Sequence, residues 1–146
     1  MKKLLFAIAV SCIAFFAVPT NTSAYDFDGI DLNAPQQEVT REISSKGYIY
    51  NPDLKCLVGN CQGTDIYLSL NLFDVTEEGH VGQLIVDVPS VDVKSAIVIF
   101  NVIYHQTASA NGVTTYSVSN DGTTMNLSKT KEGVRLIYNT PYYKKK

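Results

Sequence analysis

Two cysteines, two histidines and a scatter of carboxylates are the side chains of this chain with types and spacing suited to chemistry. Cys56 and Cys61 enclose Leu57-Val58-Gly59-Asn60, and Gly59-Asn60 suits a tight turn. The pair is expected to form a disulfide closing a small exposed loop in an oxidising compartment. A redox-active pair has two intervening residues and a helix start, which this spacing lacks. Zinc would need two further ligands nearby, and none is present. Asp26, Asp28 and Asp31 surround Gly29, but an EF-hand register would put Ala24 at its first ligand position and Pro35 where the glutamate belongs. No metal site and no cofactor are therefore expected.

His80 and His105 stand outside any His-Glu-x-x-His motif, and no serine lies in a Gly-x-Ser-x-Gly turn. Glu77 and Glu78 are neighbours whose side chains point apart on an extended chain. Glycoside hydrolysis needs two carboxylates converging from separate elements, and Asp65, Asp74 and Asp87 would meet only by the accident of folding. A phosphate loop and a dinucleotide fingerprint are both missing. The chain reads as non-catalytic, with a small hydrolase assembled from scattered Asp, His and Tyr as an alternative.

Tyrosine is the more informative residue. Tyr48, Tyr50, Tyr67, Tyr116, Tyr138, Tyr142 and Tyr143 lie on or beside predicted strands. A rigid ring with a polar tip supplies contact area at little entropic cost. The expected partner-binding residues are Leu57 and Val58 on the disulfide loop, and Tyr67, Tyr116 and Tyr138 on a sheet face. The structural alternative is that tyrosine simply suits strands.

These residues must be held by a modest set of elements. Asn33 is a good helix cap, Val39 and Ile43 share one face, and Gly47 can end the helix. Tyr48 to Tyr50 predicts a short strand. Ile66, Leu68, Leu70 and Leu72 alternate with Asp65, Tyr67, Ser69 and Asn71, and Leu84, Val86 and Val88 alternate with Gln83, Ile85 and Asp87 beyond the Glu77-Glu78-Gly79-His80 turn. Ser90 to Thr107 predicts a buried helix with Ser90 as its cap, although Ile97-Val98-Ile99 favours strand. Ala108 to Gly112 is expected as a loop. Three strands follow, at 113–118, 123–128 and 134–138, the first two joined by Asn120-Asp121-Gly122.

The N-terminus reads as an address. Lys2 and Lys3 precede the apolar run Leu4 to Val18, then Pro19 and the small residues Thr22-Ser23-Ala24. The expectation is a signal peptide over 1–24 and one domain over 25–146, periplasmic or secreted, with no stable membrane span. Lipidation at Cys12 is the alternative. The chain has 146 residues and a net charge of −2, so no basic footprint for nucleic acid is present. Tyr142-Tyr143-Lys144-Lys145-Lys146 is a basic tail, read as a solvated end.

An internal echo organises the rest. Gly63-Thr64, Leu68-Ser69, Glu78-Gly79 and Leu84-Ile85 recur in order as Gly122-Thr123, Leu127-Ser128, Glu132-Gly133 and Leu136-Ile137. Each copy follows a predicted helix, suggesting two helix-plus-three-strand units over 25–89 and 90–140. Asp28-Gly29-Ile30-Asp31, Gln37-Glu38-Val39-Thr40 and Lys46-Gly47-Tyr48 resemble the start of small bacterial envelope proteins of the SmpA/OmlA type. The doubled plan is similar to the beta-lactamase inhibitor protein fold. The expected fold class is α+β, an antiparallel sheet with helices packed on one face. The expected function is an exported, non-catalytic module that binds an envelope or extracellular protein. An inhibitor or immunity protein and a scaffold component remain as alternatives.

Overall fold

The computed structural model describes residues 26–27, 30–61, 63–71 and 79–143. The expected signal peptide with Cys12, the Glu77-Glu78 turn and the three terminal lysines lie outside the described residues. A two-stranded ladder, β1 (Asp26–Phe27) and β2 (Ile30–Asp31), leads into helix α1 (Gln36–Ser45). Four strands follow: β3 (Ile49–Asn51), β4 (Cys56–Cys61), β5 (Thr64–Asn71) and β6 (Gln83–Pro89). Helix α2 (Val93–Ile103) then precedes four more: β7 (His105–Ala110), β8 (Val113–Ser117), β9 (Thr124–Lys129) and β10 (Gly133–Asn139). All eight strands from β3 onward form one antiparallel sheet in the order β3-β4-β5-β6-β10-β9-β8-β7. The fold is mixed α+β.

One helix followed by a four-strand meander thus occurs twice, and the last strand of each meander meets the other at the sheet centre. The sequence echo covers the third and fourth strands of each set, β5–β6 and β9–β10. Each set contains one strand more than the sequence suggested, because β4 and β7 carry no alternating apolar signal. β4 is Cys-Leu-Val-Gly-Asn-Cys, and β7 is His-Gln-Thr-Ala-Ser-Ala with every residue exposed.

Alternation elsewhere builds the core. Leu68, Val86, Leu136 and Leu127 stand opposite one another across four strands, and Leu84, Tyr138, Met125 and Tyr116 form the next row. All eight are fully buried, together with Val39 and Ile43 of α1 and Ala96 and Phe100 of α2. α2 lies against Tyr116, whose ring centroid is 5.8 Å from that of Phe100. The Tyr116 hydroxyl donates to Asn101 Oδ1 at 3.0 Å, so a polar tip at the core margin is satisfied.

The helices exist where the pattern placed them, but their starts differ. Asn33 does not cap α1. Its backbone N–H donates to Asp31 Oδ1, and its side-chain amide donates to Asp121 in the β8–β9 turn. The first α1 amide instead finds its acceptor in the Gly79 carbonyl, at 2.8 Å. Asp92, not Ser90, caps α2, its carboxylate accepting from Ser95 N–H at 3.1 Å. Ser90 takes a positive φ of 64° and donates its N–H to the Glu132 carbonyl, docking the connection on the β9–β10 turn. α2 also ends earlier than Thr107: Tyr104 is extended and leads straight into β7.

Candidate functional site

The expected Cys56–Cys61 disulfide does not form; Cys61 is disulfide-bonded, but not to Cys56. Cys56 is a free thiol, and it and Cys61 are the two ends of the continuous strand β4. Five residues of extended chain separate Cα atoms by about 16 Å and put the two side chains on opposite faces, whereas a disulfide needs roughly 4.4–6.8 Å. The loop expected to display Leu57 and Val58 is therefore a strand. Gly59 is not a turn residue. It lies in β4 beneath the Tyr48 ring, which a Cβ there would overlap.

Tyr116 and Tyr138 are also corrected. Both have 0% exposure, because each falls in the apolar phase of its strand and completes a core row. Leu57 packs against the core. Val58 and Tyr67 are brought together as direct partners between β4 and β5, on the opposite face from the core rows. That face continues from Tyr67 to Asp87 on β6, Arg135 on β10 and Ser128 on β9. A parallel row holds Ser69, Ile85, Ile137, Asn126 and Thr115. None of these side chains is fully buried, and Ile49, the partner of Val58 at the edge, is 73% exposed.

The centre of this face is an ion pair across the β6–β10 seam. Arg135 Nε donates to Asp87 Oδ1 at 2.7 Å and its terminal nitrogen donates to Oδ2 at 3.0 Å, a two-point grip. The hydrogen bonds to Asp87 raise the Arg135 pKa further above its ordinary value. The side chains are 46% and 33% exposed, so solvent screens the pair and its contribution to stability is small. Beside it lies a depression of about 590 Å³, lined by Leu54, Cys56, Tyr67, Ser69, Val88 and Pro89, with Thr130, Lys131 and Glu132 of the β9–β10 turn.

Burial first, and then the negative charge of Asp87, pushes the Cys56 thiol up. A thiol held protonated is a poor nucleophile, and no histidine lines the depression to act as its base. His80 stacks on Tyr142 with ring centroids 4.0 Å apart and planes nearly parallel. This stack fixes the C-terminal segment beside the start of β6, where the Thr140 hydroxyl donates to the Val81 carbonyl at 2.6 Å. His105 lies on β7 at the sheet edge. Among the described residues, no three of His, Cys, Asp and Glu gather to hold a metal ion. No described helix is long and apolar enough to cross a membrane.

Arg135, Leu54 and Ser69 escaped the sequence reading, and Asp87 entered it only as one of several scattered carboxylates. The available signal was opposite charge on the polar phase of two alternating strands, Asp87 between Val86 and Val88, and Arg135 between Val134 and Leu136. Only strand order makes them neighbours. No family model, curated protein or solved structure matches the chain.

Proposed function

We propose that the chain is an exported, non-catalytic module that binds another protein through the sheet face of Val58, Tyr67, Asp87 and Arg135. In this reading both helices cover the opposite face. Support comes from the burial of Val39, Ile43, Ala96 and Phe100 in one cluster with the core rows. The observation that carries the reading is the composition of the uncovered face. Tyr67 and the anchored Arg135 line a shallow depression, and the aliphatic residues Ile49, Val58, Ile85 and Ile137 share its sheet face. Tyr and Arg are the residues that most often concentrate binding energy, and an arginine already gripped by Asp87 loses little freedom on contact.

A photo-crosslinking residue at Tyr67 should trap one discrete protein in the envelope fraction, and Arg135→Glu should abolish the product. The same crosslinker at Lys94, exposed on α2, should trap none. Equal products from both positions, or none from Tyr67, would refute this surface. A second reading, inhibition of a secreted enzyme, rests on the doubled helix-plus-sheet pattern of the sequence, which resembles the beta-lactamase inhibitor protein fold, and is compatible with the doubled element order. It requires the trapped protein to be an enzyme that loses turnover in a one-to-one complex.

A further inference from the structure

We propose that β7 is a self-association seam, through which two copies pair antiparallel about a twofold axis and join their sheets into one. This goes beyond the binding face above, which lies on the sheet surface and stays uncovered in such a dimer.

The two edges of the sheet differ in a way that matters. An edge strand presents unpaired N–H and C=O groups at alternate residues, and proteins blunt this with short strands, proline or charge. β3 is guarded in these ways: it has three residues and is followed at once by Pro52, with Lys55 closing the turn. β7 has six residues, all exposed, and contains no Lys, Arg, Asp, Glu or Pro. Its single irregularity is the register shift between Gln106 and Ala108, which leaves Ala108 to Ala110 regularly paired with β8. Thr107, Ala108, Ser109 and Ala110 have small side chains, so nothing on the strand obstructs a neighbour at the usual spacing of about 4.8 Å.

Charge favours a second copy as the occupant. A twofold axis sets the residue at the centre of the seam beside its own equivalent, so a charge at the middle of β7 would meet its like. β7 carries none, with His105 as its one titratable residue. The contact would repeat between molecules what β6 and β10 already make within one, an antiparallel junction of two four-strand meanders. It also closes. Once β7 is paired, the remaining edge on each copy is the guarded β3, so growth stops at two. Six residues a side bury less area than a standard interface, so dissociation in the micromolar range or weaker is expected.

The full-length gene product, purified as the cell processes it, should show in sedimentation equilibrium a mass rising toward twice the monomer as concentration increases. Ala108→Lys and Ala108→Glu place a charge at the middle of β7, where it meets its own copy. Each variant alone should associate at least about tenfold more weakly, and an equal mixture of the two should restore the dimer. Circular dichroism melts matching the parent establish that the variants fold, as the exposed site predicts. A parent that stays monomeric up to about 1 mM, variants that dimerise as well as the parent, or a mixture that stays monomeric would each overturn the proposal.

Discussion

Replacing Asp121 with alanine removes one acceptor from three donors. The Asp121 carboxylate accepts from the Ser119 hydroxyl and from the Thr123 backbone N–H, both in the β8–β9 turn, and from the Asn33 side-chain amide just before α1. It therefore ties the turn to itself and to a segment 88 residues away. Hydrogen bonds to a charged group contribute about 1.5–3 kcal/mol when sheltered. Asp121 is half-buried, so about 1 kcal/mol each is the fitting figure, or about 2–3 kcal/mol for the three. For a domain of this size that lowers Tm by about 10 °C. The pH dependence supplies an independent check. Desolvation works against ionisation of Asp121, but the hydrogen bonds from Ser119, Thr123 and Asn33 outweigh it and hold the carboxyl below its ordinary value of 3.8. A carboxylate depressed in the folded state stabilises fully above the unfolded value, and this is lost as pH falls through the folded one. Urea titrations should therefore show the full gap between parent and Asp121→Ala at about pH 6, narrowing only below about pH 4. In a double-mutant cycle, Asn33→Ala should couple to Asp121→Ala by about 1 kcal/mol. A loss under about 0.5 kcal/mol, or a gap unchanged on acidification, would refute the reasoning.

Two further outcomes follow from the fold. Gly59→Ala should cost about 1–3 kcal/mol, because its Cβ would overlap the Tyr48 ring. The same change made in a Tyr48→Ala background should cost far less, and equal costs in both backgrounds would show that the ring is not the obstacle. At Cys56, iodoacetamide modification read by peptide mapping should be slow at neutral pH. Its rate should climb only above the ordinary thiol value of 9.0, since burial and Asp87 both disfavour the thiolate. The neutral thiol is the form the fold prefers, so any stability linked to it holds below that value and is lost as pH rises through the raised one. Asp87→Asn should speed the reaction; a rate already saturated at about pH 8 would contradict the assignment.

Much of the fold was legible because burial on one sheet face leaves a period of two in the sequence. Leu84-Ile85-Val86-Asp87-Val88 and the alternation from Ile66 to Leu70 located β6 and β5 correctly. Val39 with Ile43, and Ala96 with Phe100, located the helices, since one buried stripe leaves a period near 3.6. β4 and β7 stayed hidden for opposite reasons. In β4 a glycine replaces a core side chain because Tyr48 fills that space from elsewhere in the chain. In β7 neither face is buried, so no alternation is required.

The site was less legible. Tyrosine on a strand can serve a core or a surface, and the identity of the residue does not choose. The phase of the strand does: Tyr116 and Tyr138 share the phase of Met125 and Leu136, while Tyr67 shares that of Asp87.

Local pattern alone determined the two helices, most of the strands, the doubled order and the mixed α+β class, because propensity and burial period act over a few residues. Only the tertiary structure decided that Cys56 stays free, that Asp87 and Arg135 meet, that Asn33 holds Asp121 rather than a helix end, and that β7 is an open edge. Each of these depends on which distant strand lies alongside, and that is settled by packing the whole sheet at once.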